Sequence, residues 1–590
     1  MAVIALGAAA AYAWDLDVQG WSNPYYTAVV QAGQQSWSSF LLGSLEVGNA
    51  VASDKPPLAF WVMALSARAF GLSSWSVLLP QVAETIATVL VLHRMGRELA
   101  GRAAGVVAAL VYATSPVVLV MARYNHPDTL MTLLLVVAAW CCLRATRSTA
   151  WGWVTACGAL LGLGFLTKWG VALIPGPAFA VALWVSTHGS LRQRLQRVAN
   201  FAGSGFVSIA SWVVPVLLVP SARRPYADGS QGSILSLMLG RDGFSRLGGT
   251  RGAGTQEVAG TPGPWRLLTP PFATQVGWHL PLAVGVLALV ALLAARDRRS
   301  HAVSPSGAVV ERAGWLLVVG WLVTGLVVLS VMSGPMHPYY SVMLVPAVAL
   351  SIGAGLASLR RRNRLPLALL PAAATLAYQV LVFRRSGVPD QTALDDCLAV
   401  VATGMDAVAV AGRRWAQRAL PCLLLAPLLV LPLAFGLTTD SHKVSGYDPV
   451  AGPLTPTPRS AYPDALVRYL ESHRSNTLWV AATPRATAAS VLQLQSSSPV
   501  LPLGGFTGHA AGPTLDQVRG WTESDRLRFL VLPQEYTTHL FDTPAALAGY
   551  PVASILQWAQ QTGCVQRQAF GSYVVVDLDA DSIPRHPGCG

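Results

Sequence analysis

The sequence predicts a polytopic α-helical membrane protein with a separate soluble α/β domain at its C-terminal end. Three observations lead there. Of 590 residues, 53% are hydrophobic and only 12% are charged, about half the charged share of an average soluble domain. The apolar residues lie in long blocks, and about thirteen of these are candidate spans, since crossing a bilayer takes about 20 mostly apolar residues with every backbone polar group satisfied inside its own helix. The segment 439–590, by contrast, has ordinary soluble composition. The net charge of +13, from 41 Lys+Arg against 28 Asp+Glu, is no sign of nucleic acid binding. Many of the basic residues sit in short clusters between apolar blocks, where they orient helices. Seven Cys contain no C-x-x-C pair, so neither a metal cluster nor a disulfide framework follows.

In chain order the candidate spans are 2–13, 76–92, 103–121, 129–143, 151–166, 171–185, 201–219, 276–294, 315–331, 342–356, 365–382, 397–410 and 420–437. The first is short and has no basic leader, so it is expected to be part of a first helix rather than a cleaved signal peptide. The span 397–410 is the weakest, being short and holding Asp406. Alternate connections carry Arg94/Arg97/Arg102, Arg144/Arg147, Arg192/Arg194/Arg197, Arg296/Arg298/Arg299, Arg360/Arg361/Arg362/Arg364 and Arg413/Arg414/Arg418. The positive-inside rule assigns these to the cytoplasm. The loop 14–74, the Gly-rich loop 220–275, the turns near Asn125 and His337 and everything after Thr438 are then outside. The expected organisation is a membrane domain 1–437, whose outer loop 14–74 bears site residues, a linker 438–458 and an extracytoplasmic domain 459–590. In that last domain TLWVAAT, RFLVLP and YVVVDL read as strands, and DALVRYLESH and ASILQWAQQ as helices, a small α/β layer structure. Its GGFTG segment is an ordinary turn or a bare-backbone approach to a ligand.

The notable polar residues gather on the expected outer face. Asp15 and Asp17 stand in the first loop beside WSNPYY, which supplies Asn23 and Tyr26. In Asp54-Lys55-Pro56-Pro57 two prolines fix the backbone after a carboxylate and an ammonium. One reading is a helix cap with a solvated Lys55. The other is a carboxylate that holds a cation or activates a hydroxyl, beside a lysine that meets phosphate. MARYNHPDTL packs Arg123, Asn125, His126 and Asp128 into six residues between two apolar blocks. Polar groups at such depth face a cavity or one another, so either an Arg123–Asp128 pair closes the turn or Asp128 is a base or metal ligand. Lys168 stands alone between GLGFLT and WGVALIPG, as a snorkelling anchor or a site cation. In SGPMHPYYSVML, His337, Tyr339 and Tyr340 are interfacial anchors or phosphate and metal contacts. Together these groups suit a substrate with an anionic headgroup and an apolar tail: fixed cations stabilise a leaving phosphate, and a carboxylate takes a proton from an acceptor hydroxyl.

GWSNPYYTAVVQAGQQSW, SDKPPLAFWVMALSARAFG, RYNHPDTLMTLLLVVAAW, LGLGFLTKWG and MHPYYSVMLVPAVAL, in this order, resemble the bacterial dolichyl-phosphate-mannose–protein mannosyltransferase-like proteins of the GT-C superfamily. These are related to aminoarabinose transferases, and the subgroup with an appended C-terminal extracytoplasmic domain fits best. The resemblance implies a multi-pass enzyme of the bacterial plasma membrane that moves a sugar, with inversion, from a polyprenyl-phosphate donor to an envelope protein, glycan or lipid. It implies Asp54 and Lys55 near the donor phosphate and Asp128 at the catalytic cavity. Lys168, His337 and Tyr340 are implied as cavity or phosphate contacts. No cofactor is required by the residues, although Asp54 with a histidine such as His279 or His337 could hold a divalent cation. The sequence departs from the family at Ser22-Asn23-Pro24-Tyr25-Tyr26, where relatives often place an acid as base. Asp128 is then the preferred base, with Asp17 or Asp54 as alternates. Two other readings compete: a non-catalytic glycan- or lipid-binding assembly subunit, and a transporter of lipid-linked sugar. No internal repeat of the kind many transporters show is evident.

Overall fold

A computed structural model describes residues 1–228, 233–244, 259–297, 305–334, 336–388, 413–439, 447–453, 461–506, 508–534, 551–561 and 567–578, with isolated positions between 392 and 403. The chain forms two compact units. One comprises Met1–Gly20, Leu78–Trp212 and Arg246–Thr457; the other comprises Trp21–Val77, Val213–Ser245 and Pro458–Gly590.

Among the described residues, eight helices are long and apolar enough to cross a membrane, or nine if one bent pair counts as a single span. The chain is a multi-pass helical membrane protein. The smaller number has physical reasons. Ala2–Ala13 and Gly176–Ser186 are apolar helices of 10–17 residues, short of a full crossing, whereas the last candidate lies in the 25-residue helix Arg413–Leu437, whose side chains are described only from residue 425 on. The block expected as one span over 103–121 is two helices, Arg102–Ala113 and Pro116–Ala122, bent by 66°. Pro116 explains the bend: its ring pushes the preceding residue out of the helical region, and Ser115 is indeed extended, with ψ of 127°. The candidate span 397–410 lies almost wholly outside the described residues.

Within the first unit the spans differ in depth. Pro338–Arg361 has 94% of its apolar window buried and Leu191–Leu218 only 22%, so the former is the packed centre and the latter turns most of its surface outward. The helix Trp151–Lys168 packs on Leu191–Leu218 through a Gly-xxx-Gly pair. A side chain at Gly158 would strike the Phe201 carbonyl and one at Gly162 the Gly205 carbonyl. Small residues of this kind let helix backbones approach closely where no hydrophobic gradient drives them together.

The second unit is built on a five-stranded sheet. Its strands are β3 (Ala481–Thr483), β4 (Val500–Pro502), β5 (Phe529–Pro533), β6 (Arg567–Phe570) and β7 (Tyr573–Asp577), in the order β4-β3-β5-β7-β6. β3 lies parallel to β4 and β5, while β7 runs antiparallel to β5 and β6. The helix Ala486–Ser496 makes the crossover from β3 to β4, as parallel pairing requires. Val480, Leu492, Val500, Phe529, Val531 and Val575 form the core beneath it. A smaller parallel pair joins β1 (Val51–Ala52) to β2 (Tyr226–Ala227). Gln493 ties the crossover helix to the N-terminal segment, its Nε2 donating to the carbonyls of Leu45 at 2.9 Å and Ala28 at 3.4 Å.

Candidate functional site

In the first unit the chain leaves Pro116–Ala122 through a buried turn and re-enters a helix at Asp128, the first residue of Asp128–Ala145. A carboxylate there is favoured by the partial positive charge of the helix N-terminus. The Asp128 Oδ2 atom accepts an ion pair from the Lys168 ammonium and lies 2.5 Å from His126 Nδ1. All three residues are almost completely buried. Asp128 Oδ1 is also buried and has no hydrogen-bond partner among the described residues, so one carboxylate oxygen remains open to a donor. Lys168 comes from the last residue of Trp151–Lys168, and the chain turns sharply at Trp169, whose φ is +53°.

Of the two readings of this turn, the Arg123–Asp128 pair is not the one that forms. Arg123 instead turns its guanidinium to the end of the first helix, donating to the carbonyls of Ala11, Tyr12, Trp14 and Asp15. Carbonyls at a helix C-terminus lack intrahelical donors, and a buried arginine supplies them. Arg123 therefore anchors the helix Ala2–Ala13, a structural task where substrate binding was expected.

Tyr339 and Tyr340 close the cluster, in the 3-10 turn Pro338–Leu344. The Lys168 ammonium lies 4.4 Å from the Tyr339 ring centre and 4.3 Å from that of Tyr340. A cation over aromatic faces keeps its charge without a second anion. His126 meets the Tyr339 ring at 4.4 Å, and His337 stacks on the same ring at 5.3 Å with 9° between planes. His337 Nδ1 in turn lies 2.7 Å from Asp448 Oδ1, a residue that sequence reasoning passed over. Burial alone would raise the Asp448 carboxyl, but the contact with His337 and the charges of His337, His126 and Lys168 hold it below its ordinary value. Asp128, Lys168, His337, Tyr339 and Tyr340 thus come together as expected of a site, and His126 and Asp448 join them. Asn125 is buried in the same turn, whereas Asp17 stands exposed on the 3-10 turn Leu16–Gln19.

The second unit carries the other expected group. Asn23 caps the helix Pro24–Gln35, its side-chain oxygen accepting from the amides of Tyr25 at 3.1 Å and Tyr26 at 3.4 Å. The position where an acid was sought is therefore a helix cap, and Tyr26 packs on Phe60 at 5.2 Å. Lys55 Nζ pairs with Asp54 Oδ2 at 2.5 Å. The Asp54 amide donates to the Tyr25 hydroxyl at 3.1 Å, and that hydroxyl donates to Asp228 Oδ2 at 2.6 Å. Asp228 Oδ1 accepts from the Phe506 amide at 2.9 Å, which ties down the Gly-Gly-Phe turn. Burial first, and then the Asp228 and Asp54 charges, raise the Tyr25 hydroxyl well above its ordinary value, so it stays protonated as a donor. Asp228, like Asp448, lies in a polar loop where an aspartate has no distinguishing sequence signal.

The sequence left open a divalent ion on Asp54 with a histidine such as His279 or His337. Among the described residues no group of three or more His, Cys, Asp or Glu could hold a metal. His279 Nε2 faces the Leu428 carbonyl at 3.2 Å.

Residues 54–217, which contain Asp54, Lys55, Asp128 and Lys168, match the family model of the dolichyl-phosphate-mannose-protein mannosyltransferases. Residues 466–561 match a C-terminal domain model described as "Putative mannosyltransferase YkcB-like". The chain is 25% identical to "Putative mannosyltransferase YkcB" of Bacillus subtilis (strain 168), over 86% of this chain and 85% of that protein. It is 33% identical to the undecaprenyl phosphate-alpha-4-amino-4-deoxy-L-arabinose arabinosyl transferase of Edwardsiella ictaluri (strain 93-146), over 22% of this chain and 25% of that protein. Its fold matches ArnT from Cupriavidus metallidurans, crystallised with undecaprenyl phosphate, with a TM-score of 0.60, 17% identity and coverage of 98% of this chain and 97% of that one. The resemblance to mannosyltransferase-like proteins and aminoarabinose transferases expected from the motifs is thereby matched by the family model and these relatives.

Proposed function

We propose that the chain is a polyprenyl-phosphate-dependent glycosyltransferase that transfers a sugar, with inversion, to an envelope acceptor on the extracytoplasmic face of the bacterial plasma membrane. The observation that carries this reading is the buried Asp128–Lys168 pair, with His126 on the same carboxylate oxygen and the other oxygen open. In the proposed step an acceptor hydroxyl gives its proton to Asp128 while its oxygen attacks the anomeric carbon. The bond from that carbon to the donor phosphate breaks, and polyprenyl phosphate leaves with the electron pair. Lys168 and His337 stabilise negative charge in the cluster as it develops, and Tyr339 and Tyr340 hold the ammonium in place. Lys55, in its acid-Lys-Pro-Pro segment, is assigned to the donor phosphate. No step passes through a metal.

The test is transfer by purified protein in lipid, with a panel of polyprenyl-phosphate sugars and wild type beside Asp128→Asn. Turnover of one donor that the substitution abolishes supports the reading. Donor binding without turnover across the panel would move the chain to a binding or assembly subunit, a reading that Asn23 in its capping role keeps in play.

A further inference from the structure

The second unit contains a cleft of about 680 Å³ that has no part in the chemistry above. Among the described residues its lining includes Arg223, Arg224 and Arg526, and no Asp, Glu or Lys. Glu46, the acid closest in chain to its Gly48–Ala50 wall, is fully buried and already engaged: it accepts from Trp479 Nε1 at 2.7 Å, Gly48 N at 2.5 Å and Ala50 N at 2.6 Å. The arginines of the wall thus have no carboxylate among the lining residues. Arg224 donates through Nη2 to the carbonyls of Leu217 and Val219, at 2.6 and 2.8 Å, yet its buried Nε has no hydrogen-bond partner among the described residues. Arg526 is exposed, with its guanidinium 5.3 Å from the centre of the Trp479 ring.

The floor is aromatic. Trp479 and the half-buried Trp521 pack at 4.8 Å with 52° between planes. Gly48 must be glycine here, because a side chain would strike the Trp479 ring at 2.6 Å. Asn49, Gln517 and the Tyr226 hydroxyl, which donates to Gln517 Oε1 at 3.0 Å, add neutral donors and acceptors. An aromatic platform suits the C–H face of a sugar ring, amide and phenol groups suit its hydroxyls, and guanidinium groups with no carboxylate beside them in the lining suit a phosphate or carboxylate. A bilayer would instead be met by protruding apolar side chains, and this surface is a polar recess.

The geometry points to this cleft as a binding site for an anionic glycan, a sugar chain carrying phosphate or carboxylate. Resting on the glycosyltransferase reading, the inference makes that glycan the acceptor.

The experiment uses the full chain in nanodiscs of uncharged lipid and measures binding of a short poly(glycerol phosphate), tetragalacturonate and maltotetraose, with anionic vesicles as a fourth probe. At least one of the two anionic oligomers binds about tenfold or more tighter than maltotetraose, and which one does so names the source of the charge. Arg223→Ala and Arg526→Ala each weaken that binding by about tenfold and flatten its salt dependence. Trp521→Phe, which keeps an aromatic floor, checks that lost binding in a Trp521→Ala protein is not lost folding. Equal binding of neutral and anionic oligomers, indifference to both arginine substitutions, or binding of the vesicles alone overturns the proposal. Donor consumption measured in the same preparations separates the two readings. Donor turnover without glycan binding sinks the cleft alone, whereas glycan binding without donor turnover keeps the cleft as a binding site and sinks the enzyme.

Discussion

Buried carboxylates are compensated in two different ways, by charge or by neutral donors; charge does it at Asp128 in the first unit and at Asp54 and Asp577 in the second. Asp128 is met by an ammonium and an imidazole, whereas Asp228 is met by the Tyr25 hydroxyl and the Phe506 amide, and Glu46 by an indole and backbone amides. A charge neutralised by charge can be handed on when a proton or phosphate arrives, because its partners are themselves ionic. A charge spread over neutral donors is tied to the backbone that presents them, and its work is to hold loops in place. The contrast sets Asp128, the proposed base, apart from Asp228 and Glu46, whose partners are neutral donors.

The largest expected effect tests the reactive side. Asp128→Asn keeps the shape and removes the base, and sugar transfer should fall by about 10²–10⁴-fold, read in single-turnover assays. Asp228→Asn should leave transfer within a fewfold of wild type. If the two substitutions cost the same activity, the contrast is wrong. Next in size is Lys168→Met, which strands a buried carboxylate and should destabilise the protein by about 3–5 kcal/mol. Thermal unfolding in detergent measures it, and adding Asp128→Asn should restore much of the loss. Tyr25→Phe is smaller: Asp228 loses one donor, for about 1–3 kcal/mol of stability in the same assay.

The smallest effects concern pH and have opposite signs. Asp448 is held below its ordinary value, so its contribution is complete above the unfolded carboxyl value, about 3.9, and is lost as pH falls through the lower folded one. Glu46 is raised, chiefly by burial against the hydrogen bonds that lower it. Its contribution is complete below the unfolded value of about 4.3 and is lost as pH rises through the folded one. Unfolding followed against pH should lose part of its acid limb in Asp448→Asn and part of the decline above it in Glu46→Gln. Two curves shifted in the same direction would break the comparison.

Most of the first cluster was legible in the sequence because polar residues in an apolar setting stand out. Asp128, Lys168, His337, Tyr339 and Tyr340 are conspicuous for that reason. Asp448, Asp228 and Glu46 escaped because they lie in polar loops, where an acid is unremarkable and its partner is remote in sequence. The anchoring contacts of Arg123 were not legible for another reason: they reach backbone carbonyls more than a hundred residues away, and carbonyls have no sequence signature. Among the described residues fewer spans stand out than hydropathy alone suggests, because it averages over the bend at Ser115-Pro116 and over short helices such as Ala2–Ala13, while 397–410 lies almost wholly outside them.

The glycine seam between Trp151–Lys168 and Leu191–Leu218 acts as a fulcrum. Gly162 touches the neighbouring backbone six residues before Lys168, about 9 Å along the helix axis. Any bulk at Gly162 would prise the rods apart and swing the far end of that lever, and the ammonium travels with it. The charge that faces Asp128 is thus aimed by the absence of a methyl group two turns away, so an alteration that touches no polar atom can still detune the pair.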